Sequence, residues 1–150
     1  MKDEAREIEN LLYTYAERID AGDFVGVGEL LADCKIVTAE GQVIAAGAEA
    51  ICGLYEQTTR RYPDDGTPHT QHVITNVIVE IDEQGDQAAA RSRFTVLQAL
   101  PDLPLQTIVA GRYFDAFERS PSGWHFRERC MKVEHLGQLE QHLLIELGNR

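Results

Sequence analysis

The sequence predicts an α+β domain in which helices pack on one face of a strongly curved antiparallel sheet. Three observations carry that expectation. Apolar residues recur at helical spacing up to Arg61, strand-like runs fill the chain after Pro68, and the separators between those runs are of hairpin length. Helices first and strands afterwards segregate into an α+β architecture rather than an alternating α/β one.

The elements follow in order. Ile8, Leu11, Leu12, Tyr15, Ala16 and Ile19 share one face of a first helix, with Asp3 and Glu4 placed to complement its dipole. Ala21-Gly22-Asp23 ends it, and Asp23 can cap a short second helix through Leu30, Leu31 and Ala32 that Gly26 and Gly28 weaken. Residues 34–39 and 42–45, split by Glu40-Gly41, predict a small hairpin. Residues 47–61 return to helix, with Ile51, Leu54, Tyr55 and Thr58 on one side, and 62–68 form a loop dense in turn residues. Four β runs follow, over 69–82, 87–100, 105–119 and 123–135, joined as an antiparallel meander. Strands of about 13 residues exceed the usual length and must bend through bulges. In the tail, Leu136, Leu139, Leu143 and Leu147 stand at helical spacing and predict a closing helix. A bent sheet closed by helices is a cone with one open mouth, the place for a small-molecule pocket.

Composition narrows the function. The 150 residues are expected to form one domain, 1–150, large enough for a core and a pocket. Fourteen Lys and Arg against twenty-five Asp and Glu leave a net charge of −11, which repels phosphate and argues against nucleic acid and anionic membrane surfaces. No apolar run approaches a membrane span, and the opening Met-Lys-Asp-Glu-Ala-Arg-Glu is charged where a signal peptide needs apolar residues, so a cytoplasmic location is expected. Cys34, Cys52 and Cys130 are scattered in apolar patterns and read as core thiols. No nucleophile elbow or phosphate-binding glycine loop is present. His69 and His72 are the only close histidine pair, and residues three apart on a strand face opposite ways, so neither a metal nor another cofactor is expected.

One set of residues could carry chemistry: Tyr15, Asp20, His72, Asn76 and Arg129. Asp20 closes the first helix and His72 lies in the first long strand, and a histidine held by a carboxylate has the fixed tautomer a general base needs. Asn76 follows His72 by four residues, on the same strand face if the pleat is unbroken. Each has a plainer reading: a surface carboxylate for Asp20, a backbone-bonded strand histidine for His72, a core tyrosine for Tyr15 and a bend residue for Asn76. Positions 15 and 20 stand about 140° apart on an ideal helix, so they converge only if the helix end unwinds. Arg129 shares strand parity with His125 and Arg127, which places it on a solvated face unless a bulge intervenes.

The segments YTYAERIDAGDF, HTQHVITNVIVEID, GRYFDAFER and GWHFRER resemble the SnoaL-like group of the nuclear transport factor 2-like superfamily along nearly the whole chain. Within it the pattern is most similar to enzymes that eliminate a group from a ring substrate: scytalone dehydratase, bile-acid 7α-dehydratase and hexachlorocyclohexane dehydrochlorinase. The resemblance implies a cone fold, an Asp20–His72 pair, a Tyr15 at a position that holds Tyr or Lys in some relatives, and Arg129 as a basic pocket residue. The expected function is a cofactor-independent lyase (dehydratase or dehydrohalogenase) or isomerase that abstracts a proton from a small hydrophobic, alicyclic or aromatic molecule. Asn76, Phe24, Leu54, Tyr55, Phe94 and Tyr113 are the expected substrate contacts. The alternative is a non-catalytic ligand-binding or scaffolding domain, like the β subunits of ring-hydroxylating dioxygenases. A homo-oligomer is expected because Val73, Val77, Val79 and Ile81 on one strand face and Ile74 and Ile78 on the other both call for cover; the resemblance to the eliminating enzymes implies a trimer slightly ahead of a dimer.

Overall fold

Asp3 accepts a hydrogen bond from the Arg6 amide and so starts helix α1 (Glu4–Asp20), whose Ile8, Leu12, Tyr15 and Ile19 are buried. These observations come from a computed structural model of the chain that describes residues 2–147. Gly22 turns the chain at φ 73°, and the Asp23 carboxylate caps α2 (Phe24–Leu30) by accepting from the Gly26 amide. The hairpin of β1 (Lys35–Val37) and β2 (Val43–Ala46) leads into α3 (Ala48–Thr58), which stops three residues short of the expected end because Thr59 is already extended.

Gly28 is more than a weak spot in α2. A Cβ there would overlap the Ala48 carbonyl oxygen and press on Cys52, so its bare backbone lets α2 and α3 approach. Gly28→Ala gains helix propensity but overpacks against a backbone atom that cannot yield, and a net loss of roughly 1–2 kcal/mol is expected. Urea unfolding reads this directly, and an unchanged or raised midpoint overturns it.

Strands β3 (Thr70–Ile81), β4 (Gln87–Leu100), β5 (Leu103–Ser120) and β6 (Gly123–Leu136) form the expected antiparallel meander. The sheet is nonetheless mixed. β1 pairs in parallel with β6, giving six strands in the order β2-β1-β6-β5-β4-β3. The inner face packs on the helices through Phe94, Val96, Ile108, Tyr113, Phe117 and Phe126.

Two bulges correct the sequence reading of strand faces. In β3, Thr75 pairs with Arg93 but Ile78 pairs with Arg91, so Asn76 and Val77 together oppose Ser92. Before this insertion His72 and Ile74 face inward; after it Val77 and Val79 do, and Ile78 is exposed. The expected common face of Val73, Val77, Val79 and Ile81 therefore does not exist, since Val73 lies on the opposite side from Val77 and Val79. In β6, Ala116 pairs with Glu128 and Phe117 with Phe126, which makes Arg127 the extra residue and turns Arg129 inward.

The expected closing helix over the tail leucines is absent among the described residues. Leu136 still belongs to β6, and only one helical turn forms, through the His142 and Leu143 amides to Leu139 O. The tail instead bonds across to the chain after α3: Arg60 N donates to His142 O, and Leu144 N to Thr58 O. Those partners exist only in the folded chain, so they outweigh a helical period that local sequence displays. Among the described residues no helix is long and apolar enough to cross a membrane.

Candidate active site

The last residue of α1 and the start of β3 meet at the mouth of the cone. His72 Nδ1 lies 2.6 Å from Asp20 Oδ1. The His72 amide donates to Asp20 Oδ2 at 2.7 Å, and the Thr70 hydroxyl donates to Oδ1 at 2.9 Å. A carboxylate at a helix C-terminus faces the negative end of the dipole, and these three donors offset that cost while fixing its orientation. With Nδ1–H given to Asp20, His72 keeps its lone pair on Nε2. The His72 side chain is only 7% exposed and that of Asp20 20%.

His72 lines an apolar cavity of about 150 Å³ that also touches Tyr15, Tyr55, Phe94, Tyr113 and His142. A cavity of this size accommodates a single ring. The Tyr15 and Tyr55 hydroxyls bond each other at 2.6 Å, and the Phe94 and Tyr113 rings stack at 4.5 Å. Burial raises the pKa of Tyr15, against the pull of nearby Arg129, so its phenol stays protonated at neutral pH. Tyr15 and Asp20 converge without unwinding of the helix. Asp20 bonds the edge of the His72 ring while the Tyr15 ring meets it in a T at 6.3 Å, and Ala21 continues in right-handed geometry.

The structure separates the other expected site residues. Arg129 is fully buried rather than solvated, yet it does not line the cavity. It forms a two-pronged ion pair with Asp115, at 2.8 and 3.2 Å, and its guanidinium lies 3.7 Å from the Tyr113 centroid and 4.3 Å from that of Tyr15. Burial works against its charge, and Asp115 together with Tyr113 and Tyr15 more than offsets this and raises the pKa. Asn76 is exposed at φ 55° in the β3 bulge, away from the cavity. Phe24 belongs to the core beneath Arg61, and Leu54 packs at its margin; neither lines the cavity. Tyr55, Phe94 and Tyr113 do.

His69 does not pair with His72. Its left-handed φ of 57° turns it into the loop, where Nε2 meets Asp64 at 2.9 Å and Asp65 at 3.5 Å. The hydrogen bond to Asp64 raises its pKa. These three side chains bring potential ligand atoms within 4.8 Å of one another, with both aspartates exposed, and none belongs to the cavity of His72. A larger groove of about 540 Å³ holds Tyr62, Asp64, His69, Leu103 and Gln141, but neither Asp20 nor His72.

The sequence reading missed His142. It is 6% exposed, and its ring sits 6.4 Å from that of His72. A histidine interrupting a leucine stripe was the available signal. Burial, and after it the proximity of His72, pushes its pKa down to about 4. The unfolded chain takes up this proton near pH 6.5, whereas the folded chain resists it until about 4. Its contribution is therefore complete above 6.5 and lost as pH falls through that window, by up to about 3 kcal/mol. His142→Phe is expected to flatten the stability difference between pH 7 and pH 4.5 in urea titrations; an unchanged difference overturns this.

Comparison with known proteins gives a consistent picture. A family model described as a SnoaL-like domain matches residues 3–130. No curated protein matches the chain. Three solved structures from Novosphingobium aromaticivorans are similar. One is an NTF2-like protein with a cystatin-like fold, 22% identical, covering 87% of this chain and 81% of that one at a TM-score of 0.69. Another, described as a candidate aromatic ring hydroxylase, is 23% identical over 92% and 95% of the two chains, with a TM-score of 0.70. The third, described as a candidate scytalone dehydratase, is 22% identical over 88% and 85%, with a TM-score of 0.67. At these identities the likeness shows the fold: an NTF2-like α+β cone.

Proposed function

The chain belongs to the SnoaL-like domain family, and from that premise we propose that it is a cofactor-independent lyase or isomerase acting on a small hydrophobic ring. One observation carries the reading: the 2.6 Å Asp20–His72 contact at the wall of an apolar, ring-sized cavity. His72 Nε2 takes a proton from a carbon beside an activating group. Asp20 holds the ring and stabilises the imidazolium that forms. In an elimination the C–H electron pair becomes the new double bond and the leaving hydroxide or halide departs with its own pair. A hydroxide recovers the proton from His72 as water; in an isomerisation the proton returns to another carbon. The Tyr15 hydroxyl lies 2.6 Å from that of Tyr55, and when it accepts the Tyr55 proton its own O–H is left to assist the leaving group. Arg129 acts from behind, holding Tyr15 and Tyr113 in the wall rather than touching substrate.

The testing experiment follows release of water or halide, by proton NMR, from monocyclic compounds that bear a hydroxyl or halide β to an activated C–H. Turnover of at least one member above the buffer rate is expected. Binding without turnover across the panel, and without exchange of the activated C–H into heavy water, would favour a ligand-binding domain and sink the enzyme reading.

A further inference from the structure

The tail turn after β6 has two sides. Leu139, His142 and Leu143 line the cavity of His72, whereas Gln138, Glu140 and Gln141 line the separate groove of about 540 Å³. A hollow of that volume is the size of a small-molecule site. Three segments far apart in the chain meet in it: the loop after α3, the turn joining β4 to β5, and the tail. Its floor is apolar. Leu103 is buried, Leu100 and Tyr62 are half-buried, and the Tyr62 hydroxyl is tied down by donating to Gln141 O. The His69 ring meets that of Tyr62 at 5.3 Å and extends an aromatic wall.

The rim carries charge of one sign. Each segment contributes an exposed carboxylate, Asp64 from the loop, Asp102 from the turn and Glu140 from the tail. His69, the basic side chain of the lining, is matched by its 2.9 Å contact with Asp64. Among the described residues neither Asp102 nor Glu140 has an ion-pair partner. The Arg60 guanidinium donates to the Glu140 carbonyl oxygen but lines a different hollow. Carboxylates gathered without counter-charge repel one another, and a bound cation relieves that repulsion. An apolar floor beneath such a rim suits a cation with an apolar body, and a tyrosine ring adds attraction for an ammonium group.

We propose that this groove is a binding site for a small arylalkyl ammonium, its ring laid on Leu100, Leu103 and Tyr62 and its charge held by Asp102 and Glu140 at the rim. The site contains neither Asp20 nor His72, so it stands or falls independently of the lyase reading.

The test titrates 2-phenylethylammonium chloride into nitrogen-15-labelled protein and follows the backbone amides by NMR. The neutral 2-phenylethanol and the anionic 3-phenylpropanoate, of similar size, report what the charge contributes. The ammonium is expected to perturb amides within 62–64, 100–103 and 138–141. It should bind about tenfold more tightly than the alcohol, and the carboxylate should not bind. Added salt should narrow the gap between ammonium and alcohol.

Asp102→Asn and Glu140→Gln should each weaken ammonium binding about two- to fivefold. Together they should bring it down to the affinity of the alcohol, whose own binding stays unchanged and shows the groove intact. Ammonium chloride alone should leave these amides unmoved. If it perturbs them as strongly as the aryl compound does, the rim collects any cation and the proposal falls. It falls equally if the alcohol binds native protein as tightly as the ammonium, if the double variant keeps the preference, or if the perturbed amides gather at Asp20 and His72 instead.

Discussion

Replacing His72 with alanine is expected to slow turnover by about 10²–10⁴-fold, the ordinary worth of a positioned general base. Asp20→Asn keeps the shape of the carboxylate and removes its charge. It can still bond the His72 ring, but it no longer stabilises the imidazolium, and an amide can present its N–H to Nδ1 and so reverse the tautomer. A loss approaching that of His72→Ala follows. Because base and carboxylate act as one unit, the double variant should be little worse than the worse single one. Circular dichroism of each variant is the folding control. Full turnover in both, with the fold intact, would remove the mechanism. Multiplied effects in the double variant would show that the two residues act independently.

The second large effect concerns stability. Asp115 and Arg129 form an ion pair with both side chains at 0% exposure. Removing the carboxylate alone, as Asp115→Ala, leaves a guanidinium in the core against the faces of Tyr15, Tyr113 and Phe126. Breaking such a pair from one side costs about 3–5 kcal/mol, which for a chain of this size lowers the melting temperature by roughly 10 °C or more. Replacing both partners with apolar residues, Asp115→Leu with Arg129→Met, removes the desolvation problem as well as the attraction. This double variant should lie much closer to the native protein than Asp115→Ala does. Urea unfolding of the three proteins orders them. A single variant within 1 kcal/mol of native would show that solvent reaches Arg129 after all.

Much of this was legible in the sequence, and the exceptions have physical causes. The face of α1, the capping by Asp23 and the four long strands depend on local periodicity and turn chemistry, which a single sequence displays. Asp20 and His72 were identifiable because one ends a helix and the other opens a strand, positions insensitive to what happens further along. Asn76 and Arg129 were misplaced for a common reason. Each lies within or beyond a bulge, and one extra residue reverses strand parity without altering the pattern of apolar and polar types. The parallel pairing of β1 with β6 joins residues far apart in the chain and leaves no local trace. His142 was lost because the tail leucines have helical spacing, while the backbone partners that hold the tail are at Thr58 and Arg60.

The β3 bulge has a consequence beyond the direction of its side chains. Among the described residues β3 is the outermost strand of the sheet on its side, twelve residues long, and one row of its backbone N–H and C=O groups lacks a strand neighbour there. A straight strand of that kind is a template on which another chain can add, the first step of fibrillar association. The insertion at Asn76, with its left-handed φ, interrupts that template midway, and Glu80 adds a charge beyond it. The kink that lets His72 and Val79 share the inner face thus also shortens the stretch of strand a stray chain could follow.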